Sequence, residues 1–206
     1  MKRLAVTLLA LACLLGATAR ADESNAPSAP ETKRMDRLRA GEVLVEPAGP
    51  GQPRERVVAL VQAPWERLWA GLTDHNLLFR IFPDQGDARV KESEPDHDVL
   101  CYTQKHFLTL RFCIRRGIDR GARRIRWEGA DGDLKSAAGG WEFAPIDDGR
   151  ATLVTFSNDV ETAMWVPRWA VRRYNRTEMV RTVGYLRSWA ETGRFPGEAA
   201  GGAASP

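Results

Sequence analysis

Chemistry in a chain this size needs a proton carrier, a nucleophile, a metal set or a phosphate cradle, and this sequence is sparing with all four. Its three histidines are His75, His97 and His106, and none stands in an H-x-x-x-H pair. No cysteine set with zinc spacing accompanies them, so no metal site and no cofactor is expected. Asp96-His97-Asp98 reads as a solvated turn rather than a catalytic group. There is no G-x-S-x-G elbow, Walker loop or dinucleotide fingerprint, and Gly139-Gly140 before Trp141 reads as a bend or bulge in a strand rather than a phosphate cradle. No catalytic residue is assigned. Two groupings remain. Cys101 and Cys113 form an even pair, and Arg111, Arg115, Arg116, Arg120, Arg123, Arg124 and Arg126 crowd into one short stretch.

The compartment decides what those groupings mean. Met1 to Ala21 carries Lys2 and Arg3, then an apolar run from Leu4 to Ala17, then Ala19-Arg20-Ala21. This is the three-part pattern of a secretory signal with an A-x-A cleavage site, and the run is too short to span a bilayer. Cleavage near Ala21 leaves a secreted or periplasmic chain with no transmembrane segment. The formal charge of +3 rests on Lys2, Arg3 and Arg20, so the mature chain is neutral overall. Cys13 leaves with the signal, unless Ala10-Leu11-Ala12-Cys13 serves as a lipoprotein box. Export makes nucleic acid an unsuitable partner for the arginine cluster and anionic lipid headgroups a suitable one. The competing reading is a solvated sheet face, balanced in part by Asp84, Asp87, Glu92, Glu94, Asp96 and Asp98.

The elements that must position these residues follow from periodicity. Residues 22–39 read as a disordered tether and residues 196–206 as a disordered tail, both poor in apolar periodicity. Residues 40–195 read as one domain. Within it, 42–46 and 56–62 are strands around a Pro/Gly-rich turn at 47–53. Pro64 opens a helix with Trp65, Leu68, Trp69 and Leu72 at helical spacing, and Thr73 or Asp74 caps a second that stops at Pro83. Period-two strands follow at 87–94, 98–104, 108–118, 123–130, 135–144 and 150–160. On 108–116 Leu108, Leu110, Phe112 and Ile114 share one face, and Cys113 lies on the other. An even hairpin register puts Cys101 on the same face as Cys113, close enough for a disulfide. Offset residues would leave two free thiols.

The last element is a helix over 166–191. Trp165, Met179, Val183, Leu186 and Ala190 fall on one stripe, flanked by Trp169, Thr182, Tyr185 and Trp189. Arg172, Asn175 and Arg176 land on the same stripe. Either the first third of the helix overhangs the sheet and these side chains reach water, or they place polar groups at the mouth of a cavity.

The run from Val57 to His75 (VVALVQAPWERLWAGLTDH) with Phe82-Pro83 after it resembles the opening of START-like proteins of the SRPBCC superfamily. That superfamily includes polyketide cyclase/dehydrase-like and coenzyme-Q-binding members. Gly140-Trp141-Glu142-Phe143-Ala144-Pro145, Thr152 to Phe156, and the closing helix from Pro167-Arg168-Trp169 to Tyr185-Leu186-Arg187 extend the likeness to about residues 40–190. The resemblance implies an α+β helix-grip fold, with a curved antiparallel sheet wrapped around the long C-terminal helix. It also implies a cavity between them for a hydrophobic small molecule such as a lipid, quinone or other isoprenoid.

On the residues themselves, Tyr102, Leu110, Phe112, Trp127, Trp141, Phe143 and Phe156 are the apolar side chains expected to line the sheet side of such a cavity, with Arg172, Asn175, Arg176, Met179 and Val183 on the helix side. Taken singly, each ring reads as ordinary core ahead of ligand contact. The function expected is an exported binding or carrier protein. A polyketide cyclase or aromatase that shapes its substrate with scattered polar groups is the first alternative, and an interaction module with a filled cavity is the second. No feature of the sequence sets an oligomeric state.

Overall fold

The computed structural model describes residues 29–47, 55–105, 109–129, 131–162 and 166–198. The signal segment, most of the Pro/Gly-rich turn, His106, Leu108, Trp165 and the tail from 199 lie outside the described residues. Among those described, the order is α1 (Ala29–Arg39), β1 (Val43–Pro47), β2 (Glu55–Val61), α2 (Trp65–Thr73), α3 (His75–Ile81), a 3-10 turn (Pro83–Gln85), β3 (Asp87–Ser93), β4 (His97–Lys105), β5 (Thr109–Asp119), β6 (Arg124–Glu128), β7 (Asp131–Gly132), β8 (Leu134–Ile146), β9 (Ala151–Thr162) and α4 (Arg168–Thr192).

The strands form one antiparallel sheet in the order β1-β2-β9-β8-β6-β5-β4-β3, with the two-residue β7 against β5. This is the helix-grip arrangement expected from the resemblance. Asp74 separates α2 from α3 as the sequence anticipates, its side chain accepting from the amides of Asn76 and Leu77, and Gly193 ends α4 in the left-handed region at φ 76°.

The core lies on one face of the sheet. Val57, Ala59 and Val61 of β2, Leu100 of β4, Ile125 of β6, Phe143 of β8 and Val154 of β9 are buried there against Leu68, Trp69 and Leu72 of α2 and Met179, Val183, Leu186 and Ala190 of α4. The α4 stripe read from the sequence is thus the packed one over its last two thirds. Its buried core residues begin at Met179, and in the first third Trp169 is 69% exposed.

One reading needs correction: residues 29–39 are the helix α1, where a disordered tether was expected. Only Leu38 of α1 is buried. It joins Leu44, Val58, Leu60 and Ala151 in a second, smaller cluster on the opposite face of the sheet, with Met35 packed against it. Ion pairs from Arg34 to Glu46 and from Arg39 to Asp147 hold the helix in place. Its stability comes from docking rather than from its own periodicity.

The ladder between β4 and β5 sets Cys101 opposite Cys113, Tyr102 opposite Phe112 and Asp98 opposite Arg116. Cys101 and Cys113 are joined as a disulfide, on the face of the sheet away from the core. Gly139 and Gly140 lie in regular pairing rather than in a bulge. A Cβ on Gly139 would meet the Ser157 carbonyl oxygen at 2.3 Å and the Trp127 ring at 2.7 Å, so the missing side chain is what lets the indole lie across β8.

Candidate functional site

A cavity of about 260 Å³ opens between the core face of the sheet and the first half of α4. Its sheet wall is laid down by alternation: Tyr102 and Gln104 of β4, Leu110, Phe112, Ile114 and Arg116 of β5, Trp127 of β6, Ala137 and Trp141 of β8, and Phe156, Asn158 and Val160 of β9. Val166, Ala170, Val171, Tyr174, Asn175, Glu178 and Met179 of the α4 side close over it, and Asp84 and Gln85 of the 3-10 turn border it. Trp141 and Phe156 stack with centroids 4.1 Å apart, Trp127 and Phe156 tilt together at 5.9 Å, and Tyr102 meets Phe112 at 5.4 Å. Aromatic walls of this kind suit an apolar guest.

Most of the residues expected at such a site come together here: Tyr102, Leu110, Phe112, Trp127, Trp141, Phe156, Asn175 and Met179 all line the cavity. Four do not. Phe143 projects from the same face, but one ladder step toward α2, where it packs against the edge of Trp69 at 6.3 Å. Val183 is sealed in the core at 1% exposure. Arg172 and Arg176 stand on the exposed side of α4, with Arg176 3.7 Å from Glu55. Of the two readings of those arginines, the one in which the side chains reach water is realised. Only Asn175 turns inward. Its amide nitrogen donates to the Asn158 carbonyl at 2.6 Å, and Asn158 Nδ2 donates to Asn175 Oδ1 at 3.0 Å. Trp127 Nε1 donates to Asn158 Oδ1 at 3.3 Å, so the clamp ties α4, β9 and β6 together.

Two further polar groups escaped the sequence reading. Asp98 is 1% exposed and Arg116 4% exposed. Arg116 donates from Nε to Asp98 Oδ1 at 2.7 Å and from Nη2 to Asp98 Oδ2 at 2.5 Å, a bidentate pair, with His75 Nε2 2.9 Å from Asp98 Oδ2. Burial pushes the Asp98 carboxyl up, but the hydrogen bonds and charge of Arg116, helped by His75, outweigh it and hold the group below the usual carboxylate value. Period two was signal enough to find this pair. Arg116 follows Leu110, Phe112 and Ile114 on the even face of β5, and Asp98 precedes Leu100 and Tyr102 on the even face of β4. Reading Asp96-His97-Asp98 as one solvated turn concealed it. His97 itself bonds Glu92 at 2.6 Å and Asp96 at 2.7 Å, and the described residues contain no cluster able to hold a metal ion.

At the rim, the Tyr185 hydroxyl donates to Asp84 Oδ2, and Arg181 bridges Asp84 at 3.4 Å and Glu178 at 2.5 Å. The arginine cluster does not form one patch. Arg116 is buried, Arg115 pairs with Glu92 and Arg126 with Glu142, and Arg120 and Arg123 lie over Trp65.

Residues 61–183 match the family model described as polyketide cyclase / dehydrase and lipid transport. No curated protein sequence matches the chain. Among solved structures, the chain shares its fold with a STAR-related lipid transfer protein from Xanthomonas axonopodis (18% identity, 71% of this chain and 90% of that one, TM-score 0.58). It shares it also with the Zhui aromatase/cyclase from Streptomyces sp. R1128 (17% identity, 67% and 95%, TM-score 0.54), and with a START superfamily protein from Mycobacterium smegmatis (15% identity, 68% and 97%, TM-score 0.52).

Proposed function

The chain belongs to the polyketide cyclase / dehydrase and lipid transport family, and from that premise we propose that it is an exported binding or carrier protein for a hydrophobic small molecule, a lipid, quinone or other isoprenoid. The observation that carries the reading is the cavity wall. Its rings are apolar, and two of its amides and its buried guanidinium are engaged in the Asn158–Asn175 clamp and the Arg116–Asp98 pair. A guest therefore meets chiefly apolar surface, at roughly 25 cal/mol for each Å² removed from water. The Met1–Ala21 pattern supports export.

Solvent extraction and mass spectrometry of the protein purified from its native compartment should give one reproducible lipid or isoprenoid class. Ala170→Trp, which places an indole at the helix side of the cavity, should retain less than a tenth of it while melting normally. Wild-type protein that carries no apolar molecule, and takes none from quinone-loaded vesicles, would sink the carrier reading. The aromatase/cyclase neighbour favours an alternative, a cyclase-type enzyme, which turnover of a linear poly-β-ketone would reveal. An interaction module would favour a filled interior, and the sheet and helix enclose open space instead.

The same reading extends to an anionic membrane surface, met at α4 rather than at the sheet arginines. Trp169 is 69% exposed, and the exposed Arg172 and Arg173 side chains have no ion-pair partner among the described residues. They stand beside Ala170 and Val171, which line the cavity. With about 1 kcal/mol per arginine near an anionic surface, the Arg172→Glu/Arg173→Glu variant should lower cosedimentation with phosphatidylglycerol vesicles at least tenfold. Equal binding of wild-type protein to phosphatidylcholine vesicles would remove the charge argument.

A further inference from the structure

Two polar atoms at the cavity lack partners, and they complement each other. Tyr102 is 7% exposed, and its hydroxyl makes no hydrogen bond with any described residue. Gln85 Oε1 is the buried side-chain oxygen left without a partner among the described residues. Both residues line the same cavity. Asp84, Arg116, Asn158, Asn175, Arg181 and Tyr185 of the same wall are engaged with neighbours, and Gln104 and Thr182 contribute no buried unsatisfied atom. A buried polar atom left unsatisfied, as Gln85 Oε1 is, opposes folding, and native proteins keep few of them. A guest that bonds it and the Tyr102 hydroxyl, which opens on the cavity, supplies the missing partner.

We propose that Tyr102 and Gln85 form the polar recognition point of the cavity, the Tyr102 hydroxyl donating to an oxygen of the guest and Gln85 Oε1 accepting from its O–H. The guest class is a hydroxylated apolar molecule, a phenol, quinol or alicyclic alcohol, preferred over its O-methylated or plain hydrocarbon counterpart. Burial pushes the Tyr102 phenol up to about 12, so it keeps its proton and donates throughout the neutral range. The sequence gives Gln85 a reason to be there: Pro83 stops α3, the 3-10 turn presents the next two side chains, and Gly86 at φ 75° carries the chain into β3 against the Thr103 carbonyl, where a Cβ would come within 2.2 Å. The turn is thus held tightly to β4, the strand that carries Tyr102.

This inference rests on the ligand-binding reading, and the test separates the two. The probes are 1-naphthol and 1-methoxynaphthalene, which share a ring system and differ in the donor hydrogen, titrated by fluorescence. Wild-type protein should prefer 1-naphthol about tenfold. Gln85→Met should bring that preference down by about five- to tenfold and leave 1-methoxynaphthalene unchanged, and Tyr102→Phe should weaken both probes by a similar factor. Gln85→Leu provides a second variant on the same turn, and a normal melting transition is required of each. Both probes binding with a preference that no Gln85 variant alters overturns the recognition point and leaves the cavity reading intact. Neither probe binding the wild-type protein overturns both.

Discussion

Replacing Asp98 with alanine is expected to cost about 3–5 kcal/mol of folding stability, because it strands the Arg116 guanidinium in the interior without its partner. Arg116 is 4% exposed and gives two hydrogen bonds to that one carboxylate. The strand ladder fixes the two residues opposite each other, so no neighbouring acid replaces the lost one. Urea unfolding at neutral pH reads the effect as a fall in midpoint at unchanged slope. The double variant Asp98→Leu/Arg116→Met removes both charges and should recover most of the loss, since a buried pair is worth little against apolar residues of similar volume.

The pH dependence follows from the sign of the Asp98 shift. Its carboxyl is held below its ordinary value in the fold, so it contributes stability that is present above the unfolded value near 3.9 and is lost as pH falls through the folded value. Asp98→Asn should flatten the acid limb of the stability profile below about pH 4 and leave the slope between pH 5 and 8 unchanged. An Asp98→Ala protein with the wild-type urea midpoint would show that water reaches Arg116 and that the pair is not buried in solution.

The pair also marks where the sequence was legible and where it was not. Strand alternation was enough to put Cys101 and Cys113 on one face, because a one-residue slip would turn Leu100, Tyr102, Phe112 and Ile114 to water. A two-residue slip keeps the faces and parts the cysteines, so the register that sets them opposite each other came from the structure. The same alternation places Arg116 and Asp98 inside, but a charged residue considered alone points to solvent, and a buried charge is recognisable only once its partner is known. Helix α1 was missed for a related reason. Met35 and Leu38 are too few to mark an amphipathic helix, and its stability depends on β2. Yet β2 carried the hint: Val57 to Val61 is an unbroken apolar run, buried at every position, and a strand with no polar face needs cover on both sides. In the long helix the stripe leaves two uses open for Arg172 and Arg176, and the structure realises the exposed one. Periodicity puts Arg172 and Arg176 in line with Met179 and Val183, and only the extent of the sheet beneath decides where that line stops being covered.

Which aromatic residues hold a guest and which hold the fold is a question alternation leaves open, and Trp141 and Phe143 answer it as a matched pair. They sit two residues apart on one face of β8 with nearly parallel rings, 6.4 Å between centroids and 3° between planes. Each is 4% exposed, so burial alone does not separate them. Both alanine variants should lose about 3–5 kcal/mol. The loss at Trp141 should lie toward the lower end, because its indole already borders the cavity. Retention of a bound aromatic probe should divide them. Trp141→Ala removes the ring that stacks on Phe156 at the cavity wall, and binding of 1-naphthol should weaken about tenfold, the scale of one lost aromatic contact. Phe143→Ala opens its space against Trp69, behind that wall, and should leave the affinity within about twofold when measured at a temperature where both variants are folded. Thermal melts and fluorescence titrations on the two proteins give both quantities. Equal losses of affinity would mean that the cavity and the core repack as one, and that the guest is held by the whole aromatic cluster rather than by the wall facing it.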